Sequence, residues 1–451
     1  MARLSLALAF FAWVADASVG SFTLPMLLEF KVSNFRSIRE EQILSFIGTA
    51  DSEELPGNFV QPRLPGMGDS KVLKAIALYG ANASGKSNVI AALQFFADFA
   101  ANSFTGRQPE APTGTQPFGL EPEWAERPTT FEVSAIIEGV RTTYGLALTV
   151  ERVIEEYLVV FPAGKPETRF EREWKAESGE TEWIFPATDF QISDELKRAA
   201  RKNCTLVSAG AQFNQPQLTA IHRWWVKGLR VLAVSRGDSL IDETARLWIE
   251  GPPEVKKAML LFTQHADLGV TNVSIEKSPE PESTEGGTQT LLQRIAGKLR
   301  LARKYEILLS HRGRDGDVPL PFAAESTGTQ RFFGLTGPVV QTFVSNSILC
   351  IDEIEASLHP LLVRGFLQVF GQTNESVQQP QLLVTTHNPL LLDRTLLRPD
   401  QIWFTEKDKT GATTLYPLTY YQERHDEPLV NGYLAGRYGG IPFIPGGLLP
   451  K

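Results

Sequence analysis

The chain has 451 residues, 42% of them hydrophobic and 21% charged, enough apolar material for a large core and for two or more structural units. Its formal net charge of -8 excludes a global basic footprint for nucleic acid, since neutralising phosphates takes clustered Lys and Arg, and leaves only local patches. Two cysteines, Cys204 and Cys350, stand far apart with no second pair nearby; this indicates neither a disulfide framework nor a zinc site and suits a reducing cytoplasm.

The first 25 residues open with "MARLSLALAFFAWVADAS", one Arg, an apolar run from Leu4 to Val14 and an A-x-A-like Ala15-Asp16-Ala17. The segment reads as a spurious upstream start, as a packed or disordered extension, or as a secretory signal. It is too short to span a membrane. Met26 is the alternative start, because Leu28, Phe30 and Val32 alternate with Glu29, Lys31 and Ser33 as in a strand with one buried face. Lys71 to Tyr79 then predicts a buried strand ending at Gly80, and Ser87 to Phe99 a helix. Thr129 to Val160 predicts a β-meander with a turn at Glu138-Gly139.

After residue 160 the pattern changes. Residues 161–310 are expected to form a mainly helical insert or lid: Ser193 to Arg230 is helical, 278–288 is a polar, flexible insertion, and Thr290 to Leu309 is a short basic helix or a helix-strand pair. In 311–451, Val339 to Ile351 reads as the end of a helix followed by an apolar strand, and Gln381 to Thr386 as a further strand. Neither an internal repeat nor a long heptad run is present.

Two clusters carry chemistry. "GANASGKS", Gly80 to Ser87, matches G-x-x-x-x-G-K-S between a predicted strand and a predicted helix. In such a loop the backbone N–H groups of Asn82, Ala83, Ser84, Gly85, Lys86 and Ser87 face phosphates at a helix N-terminus, Lys86 reaches the terminal phosphates, and the Ser87 hydroxyl ligates Mg2+. The bland alternative is a tight strand-to-helix turn with an exposed lysine. In "SILCIDEIEASLHP", an apolar strand ends in Asp352-Glu353, which places two carboxylates at a strand's C-terminal tip, where α/β sheets bind ligands. Asp352 is suited to hold Mg2+, Glu353 to polarise an attacking water. Alone the second cluster is weak; with the first it points to nucleotide hydrolysis.

The order of "GANASGKSN", "ESTGTQRFF", "CIDEIEASLHP" and "TTHNPLLLD" resembles the ABC-type ATPase heads, among them the RecF-like, SMC-like and OLD-like proteins of the AAA family. The resemblance runs from Met26 through "HADLGV" at His265 to "YLAGRYGGIPFI" at Tyr433. It implies an α/β ABC-type head with a mixed sheet, the phosphate loop through Asn88, a β-meander in 26–160 and a helical lid. It also implies ATP and Mg2+ as cofactors and a homodimer or higher homo-oligomer, in which Ser326 and Gly328 of one subunit close over the γ-phosphate held by the other. His387 matches the switch histidine, and Ser357 to Pro360 the D-loop. The glutamine loop is not located.

What the head drives is read from what accompanies it. Coiled coils of the SMC type have no counterpart between Ile90 and Ala324, and the stretch after His387 is too short for a Toprim nuclease domain. The insert with "HRWWVKGLR" at His222 resembles compact ATPases of two-gene antiphage systems, whose effector, a nuclease, Toprim or RloB-like protein, comes from the same operon. The alternative is a RecF-like DNA-binding ATPase of DNA repair. A third reading makes the chain a scaffold that binds ATP and scarcely hydrolyses it. Lys197, Arg198, Arg201 and Lys202, and likewise Lys298, Arg300, Arg303 and Lys304, have helical spacing and read as solvated faces before they read as a DNA surface. Trp224 and Trp225 read as core anchors before they read as stacking platforms. A cytoplasmic location without membrane partners is expected.

Overall fold

The computed structural model describes residues 25–49, 55–232, 237–266, 268–277, 305–371, 380–421 and 428–442. The N-terminal extension, the insertion at 278–288 and the basic residues Lys298, Arg300, Arg303 and Lys304 lie outside them. The chain forms two units. One gathers Val234–Val344 and Ala356–Gly365; the other gathers Ser345–Glu355, the residues from Phe366 onward and the described residues before 233.

In the larger unit, an antiparallel sheet of seven strands runs in the order Glu180–Ile184, Glu167–Lys175, Val153–Phe161, Val140–Leu148, Thr129–Ile137, Met26–Ser33, Gln42–Ser45. The alternation read at Met26 is realised: Leu28, Phe30 and Val32 are buried while Glu29, Lys31 and Ser33 are half-exposed. The meander turn falls at Glu138-Gly139, both with positive φ (48° and 79°), the backbone of a two-residue hairpin whose twist matches its strands. The meander also runs two strands beyond residue 160, into Glu167–Lys175 and Glu180–Ile184, whose alternating charges the sequence reading grouped with the helical insert.

The second sheet is mixed, in the order Leu229–Leu232, Ile348–Ile351, Gln381–Thr386, Ala75–Gly80, Ile402–Lys407, Thr413–Pro417. The first five strands pair in parallel and the last is antiparallel. "ILCI" and "QLLVTT" are buried throughout, as strands covered on both faces must be. The helix Lys86–Asn102 buries Val89, Ile90, Leu93, Phe96 and Phe99, one apolar face at helical spacing. Phe96 stacks on Phe131 and Tyr144 of the antiparallel sheet, while Cys350 and Leu383 of the mixed sheet belong to the same core. Burying each such side chain contributes about 1.5–3 kcal/mol, and this core fixes the helix N-terminus at the edge of the mixed sheet.

Ser193 to Arg230 breaks into the helices Asp194–Ala199, Leu206–Gln212 and Pro216–Gly228 before the strand Leu229–Leu232. Ser193, Thr205 and Gln215 each cap the helix that follows with a side-chain oxygen. Trp224 and Trp225 are buried, and Trp225 meets Phe96 edge-on at 4.9 Å, so both are core anchors. Lys197, Arg198 and Lys202 pair with Asp194, Glu195 and Glu110, and Arg201 donates to the carbonyls of Phe104 and Arg107. Cys204 and Cys350 are free and buried.

The smaller unit has its own core of Ile241, Ala245, Val270, Val273, Ile307, Leu309, Phe322 and Phe333. Its helices Gly237–Glu250, Pro253–His265 and Thr327–Ser345 accompany a three-stranded antiparallel sheet, Val270–Lys277, Tyr305–Arg312 and Asp317–Pro321. Pro338 lies inside the helix Thr327–Ser345 and cannot donate to the Gly334 carbonyl one turn back. The Thr244 hydroxyl donates to that carbonyl instead, at 2.7 Å. Gly337 permits the approach, since a Cβ there would stand 2.6 Å from the Thr244 hydroxyl oxygen. Among the described residues, no helix is long and apolar enough to cross a membrane.

Candidate functional site

The parallel strands bring their carboxyl ends to one edge of the mixed sheet. Thr386 is in register with Tyr79, and Ile351 with Val384, so Gly80, Asp352 and His387 emerge from adjacent strands. This is where an open parallel sheet presents a ligand crevice.

The loop from Gly80 rises to exposed Asn82 and Ala83, turns through positive φ at Ala83 (63°) and Gly85 (113°), and enters the helix at Lys86. Gly85 has no room for a side chain, because a Cβ would stand 2.2 Å from the Thr413 hydroxyl oxygen; at Gly80 a Cβ would stand 2.4 Å from the Ser84 and Thr405 hydroxyl oxygens. The loop is braced from outside the motif. Ser84 Oγ bonds Thr405 Oγ1 at 2.6 Å, Thr413 donates to the Ser84 carbonyl at 2.9 Å, and Asn88 donates to Ser37 Oγ at 2.7 Å. With no acidic residue in its first turn, the helix presents N–H groups without intrahelical acceptors and a positive dipole end. Lys86 folds back over the loop, its Nζ donating to the carbonyls of Gly80 (2.8 Å) and Ala81 (3.0 Å). Burial lowers its pKa, against the pull of Glu355, Asp352 and Glu353.

Asp352 comes directly to this loop. Ser87 Oγ donates to Asp352 Oδ1 at 3.1 Å, and Thr385 Oγ1 donates to the same oxygen at 2.6 Å. Thr385 holds the whole turn: its hydroxyl also accepts the Glu353 N–H at 2.7 Å, and its carbonyl accepts the Ile354 N–H at 3.1 Å. Glu353 sits in the left-handed region, φ 49°, with its side chain exposed. Glu355 accepts the backbone N–H of His387. The His387 imidazole is held below its ordinary pKa by burial and by the Lys86 charge, while Glu355, Glu353 and a hydrogen bond with the Gly80 backbone pull the other way.

Gly80 to Asn88, Asp352, Glu353 and His387 thus lie together in the larger unit. Ser326 and Gly328 belong to the smaller one. There Ser326 caps the helix Thr327–Ser345, its Oγ accepting the Thr329 N–H at 3.1 Å, and a Cβ on Gly328 would stand 2.9 Å from the Ser357 carbonyl oxygen. The sequence reading missed Ser37, Thr385, Thr405, Thr413 and Glu355. The threonines and the serine carry no spacing signal, since they come from distant parts of the chain; the second glutamate of "DEIE", Glu355, stands in the motif without a role that its spacing assigns.

The residues present fit a phosphate-bound magnesium ion: Ser87 Oγ and Asp352 Oδ1 are hard oxygen donors on adjoining elements, and Mg2+ takes few protein ligands when phosphates and water complete its shell.

Residues 75–393 match the family model described as "AAA domain, putative AbiEii toxin, Type IV TA system". The chain belongs to that AAA family. No protein of curated function matches it. Among solved structures, this AAA protein is similar to an Smc head bound to the C-winged helix domain of ScpA (13% identity, 87% of this chain and 97% of that one, TM-score 0.43). It is also similar to the SMC head domain from Thermotoga maritima (14%, 87% and 98%, TM-score 0.39) and to the recombination mediator protein RecF-ATP (12%, 88% and 100%, TM-score 0.34).

Proposed function

We propose that this chain is an ABC-type ATPase that binds ATP at Gly80 to Asn88 and hydrolyses it with Mg2+. The 3.1 Å approach of Ser87 Oγ to Asp352 Oδ1 carries the reading, because it joins two distant motifs through the two oxygen donors that would hold Mg2+. In this reading the N–H groups of Asn82 to Ser87 cradle the phosphates and Lys86 leaves its two loop carbonyls for the terminal ones. Ser87 and Asp352 would hold Mg2+, which would supply charge neutralisation when bound. Glu353, exposed at the strand tip and pointed by its left-handed backbone, accepts the proton of the attacking water. His387 contacts the γ-phosphate region.

Ser326 and Gly328 act in trans, completing the site of a second copy, so the active species is a homodimer or a higher homo-oligomer. In this reading the larger unit, which carries the phosphate loop, Asp352, Glu353 and His387, is the nucleotide-holding head, and the smaller unit of Val234–Val344 and Ala356–Gly365 carries the signature; the boundaries expected at 160 and 311 move accordingly. The family's printed description, with its toxin and toxin-antitoxin terms, supports a defence role in which this cytoplasmic ATPase holds or releases a separate effector, a nuclease, Toprim or RloB-like protein. In the alternative, a RecF-like repair ATPase, the same site governs binding to DNA.

The test is ATP hydrolysis per subunit against protein concentration, with phage plating in cells carrying the chain and its neighbouring gene. The proposal expects the rate to fall on dilution to monomer and Lys86→Ala to abolish both hydrolysis and resistance. A rate per subunit constant down to a proven monomer would remove the composite site. ATP-dependent binding of gapped DNA, with sensitivity to DNA damage and unchanged plating, would establish the alternative.

A further inference from the structure

Glu355 occupies a position that neither the phosphate loop nor the Asp352-Glu353 pair explains. One carboxylate oxygen, Oε1, accepts the His387 N–H, and the other, Oε2, is buried with no hydrogen-bond partner. A buried carboxylate oxygen left unpaired costs stability, and its retention calls for an account. The surroundings give one. The turn Asp352–Glu355 is fastened to the strand end Thr385–His387 at three successive points, by Thr385 Oγ1, by the Thr385 carbonyl and, farthest along, by Glu355. Thr385 sets the turn. Glu355 reaches past it to the histidine N–H, just where the chain leaves the strand and its ladder of hydrogen bonds. Asn388, the next residue, donates its backbone N–H to Thr386 Oγ1 at 3.0 Å and keeps its side-chain N–H2 group buried without a partner.

We propose that Glu355 is a positioning residue for the hydrolysis described above. Resting on that reading, it assigns Glu355 the task of holding the His387 backbone so that the imidazole stands over the γ-phosphate. Glu353 and Glu355 therefore divide the work: exposed Glu353 meets the water, and half-buried Glu355 acts through His387.

The experiment measures kcat, KM and ATP affinity of the full-length protein carrying Glu355→Ala, Glu355→Gln, His387→Ala or both Glu355→Ala and His387→Ala. A role through His387 expects Glu355→Ala to lower kcat by about 10- to 100-fold with ATP affinity within about threefold. Glu355→Gln, whose amide oxygen can accept the same N–H, restores most of the rate. The double variant is no slower than His387→Ala, because the two residues act as one unit. Full kcat in a folded Glu355→Ala protein, no rescue by Gln, or single effects that multiply in the double variant would each overturn the inference while leaving the ATPase reading in place. A wild-type protein that binds ATP and does not turn it over would remove both.

Discussion

Two carboxylates in the larger unit, Glu156 fully buried and Glu355 half-buried with one buried oxygen, are treated in opposite ways. Glu156, on the meander, is saturated: Oε1 accepts from the Tyr144 hydroxyl at 2.7 Å and the Val207 N–H at 3.3 Å, and Oε2 accepts from Arg172 at 2.7 Å and the Leu206 N–H at 2.8 Å. Arg172 also donates through Nη1 to the Ala200 carbonyl and through Nη2 to the Cys204 carbonyl, and the cluster ties the sheet to a helix N-terminus. Glu355 has one partner and one bare oxygen, beside a lysine that is folded onto loop carbonyls. A carboxylate that serves the fold is satisfied before any ligand arrives, because an unmet buried charge costs stability and returns nothing. One that serves a reaction leaves valence open for a state not yet formed.

The contrast is open to breakage, first at its strongest point. Glu156→Ala leaves Arg172 buried and unpaired and is expected to cost about 3–5 kcal/mol in denaturant unfolding, with ATP affinity of the folded fraction unchanged. Glu355→Ala is expected to change stability by no more than about 1 kcal/mol while slowing turnover. Equal stability losses in the two variants would erase the distinction.

Thr385→Val is the intermediate case, since this hydroxyl serves both fold and site. Removing it strips the Glu353 N–H and Asp352 of a partner at nearly constant volume, for an expected loss of about 1–3 kcal/mol together with a fall in kcat of about tenfold or more. Calorimetric melting and steady-state rates on the same sample separate the two. A loss of stability with kcat intact would make Thr385 a purely structural residue.

The smallest effect is one of pH. Burial and the Lys86 ammonium hold the His387 imidazole below its ordinary value, so between the two values the unfolded chain binds more protons than the native one. The contribution of His387 to stability is then complete above the ordinary histidine pKa and declines as pH falls through the lower native value. Melting temperatures from about pH 8 down to about pH 5 should fall less steeply for His387→Gln than for the wild type. Parallel profiles would show that the residue titrates normally.

Much of this arrangement could be read from the sequence where the signal was local. Alternation at Met26, the turn at Glu138-Gly139, the apolar runs ending at Gly80 and Asp352 and the strand Gln381–Thr386 each rest on neighbours in the chain, and the structure places them as expected, save that the run from Lys71 splits into Val72–Leu73 and Ala75–Gly80 in different sheets. The braces of the site were illegible for the opposite reason. Thr413 meets Ser84 across 329 residues and Ser37 meets Thr413 across 376, and single threonines and serines carry no pattern of their own. The strands after residue 160 were missed because "ETRFEREWK" alternates charge and aromatics in a way that helical surface also allows, and the hairpin with Val153–Phe161 decides it.

The central claim is that Gly80 to Asn88 holds ATP and that Glu353 spends it. Binding of ATP with Mg2+ by titration calorimetry and phosphate release, measured together on wild type, Lys86→Ala and Glu353→Gln, test it most directly. The account predicts that Lys86→Ala loses binding, whereas Glu353→Gln binds as tightly as wild type and releases phosphate at least about 100-fold more slowly. Unchanged binding and turnover in Lys86→Ala would contradict it.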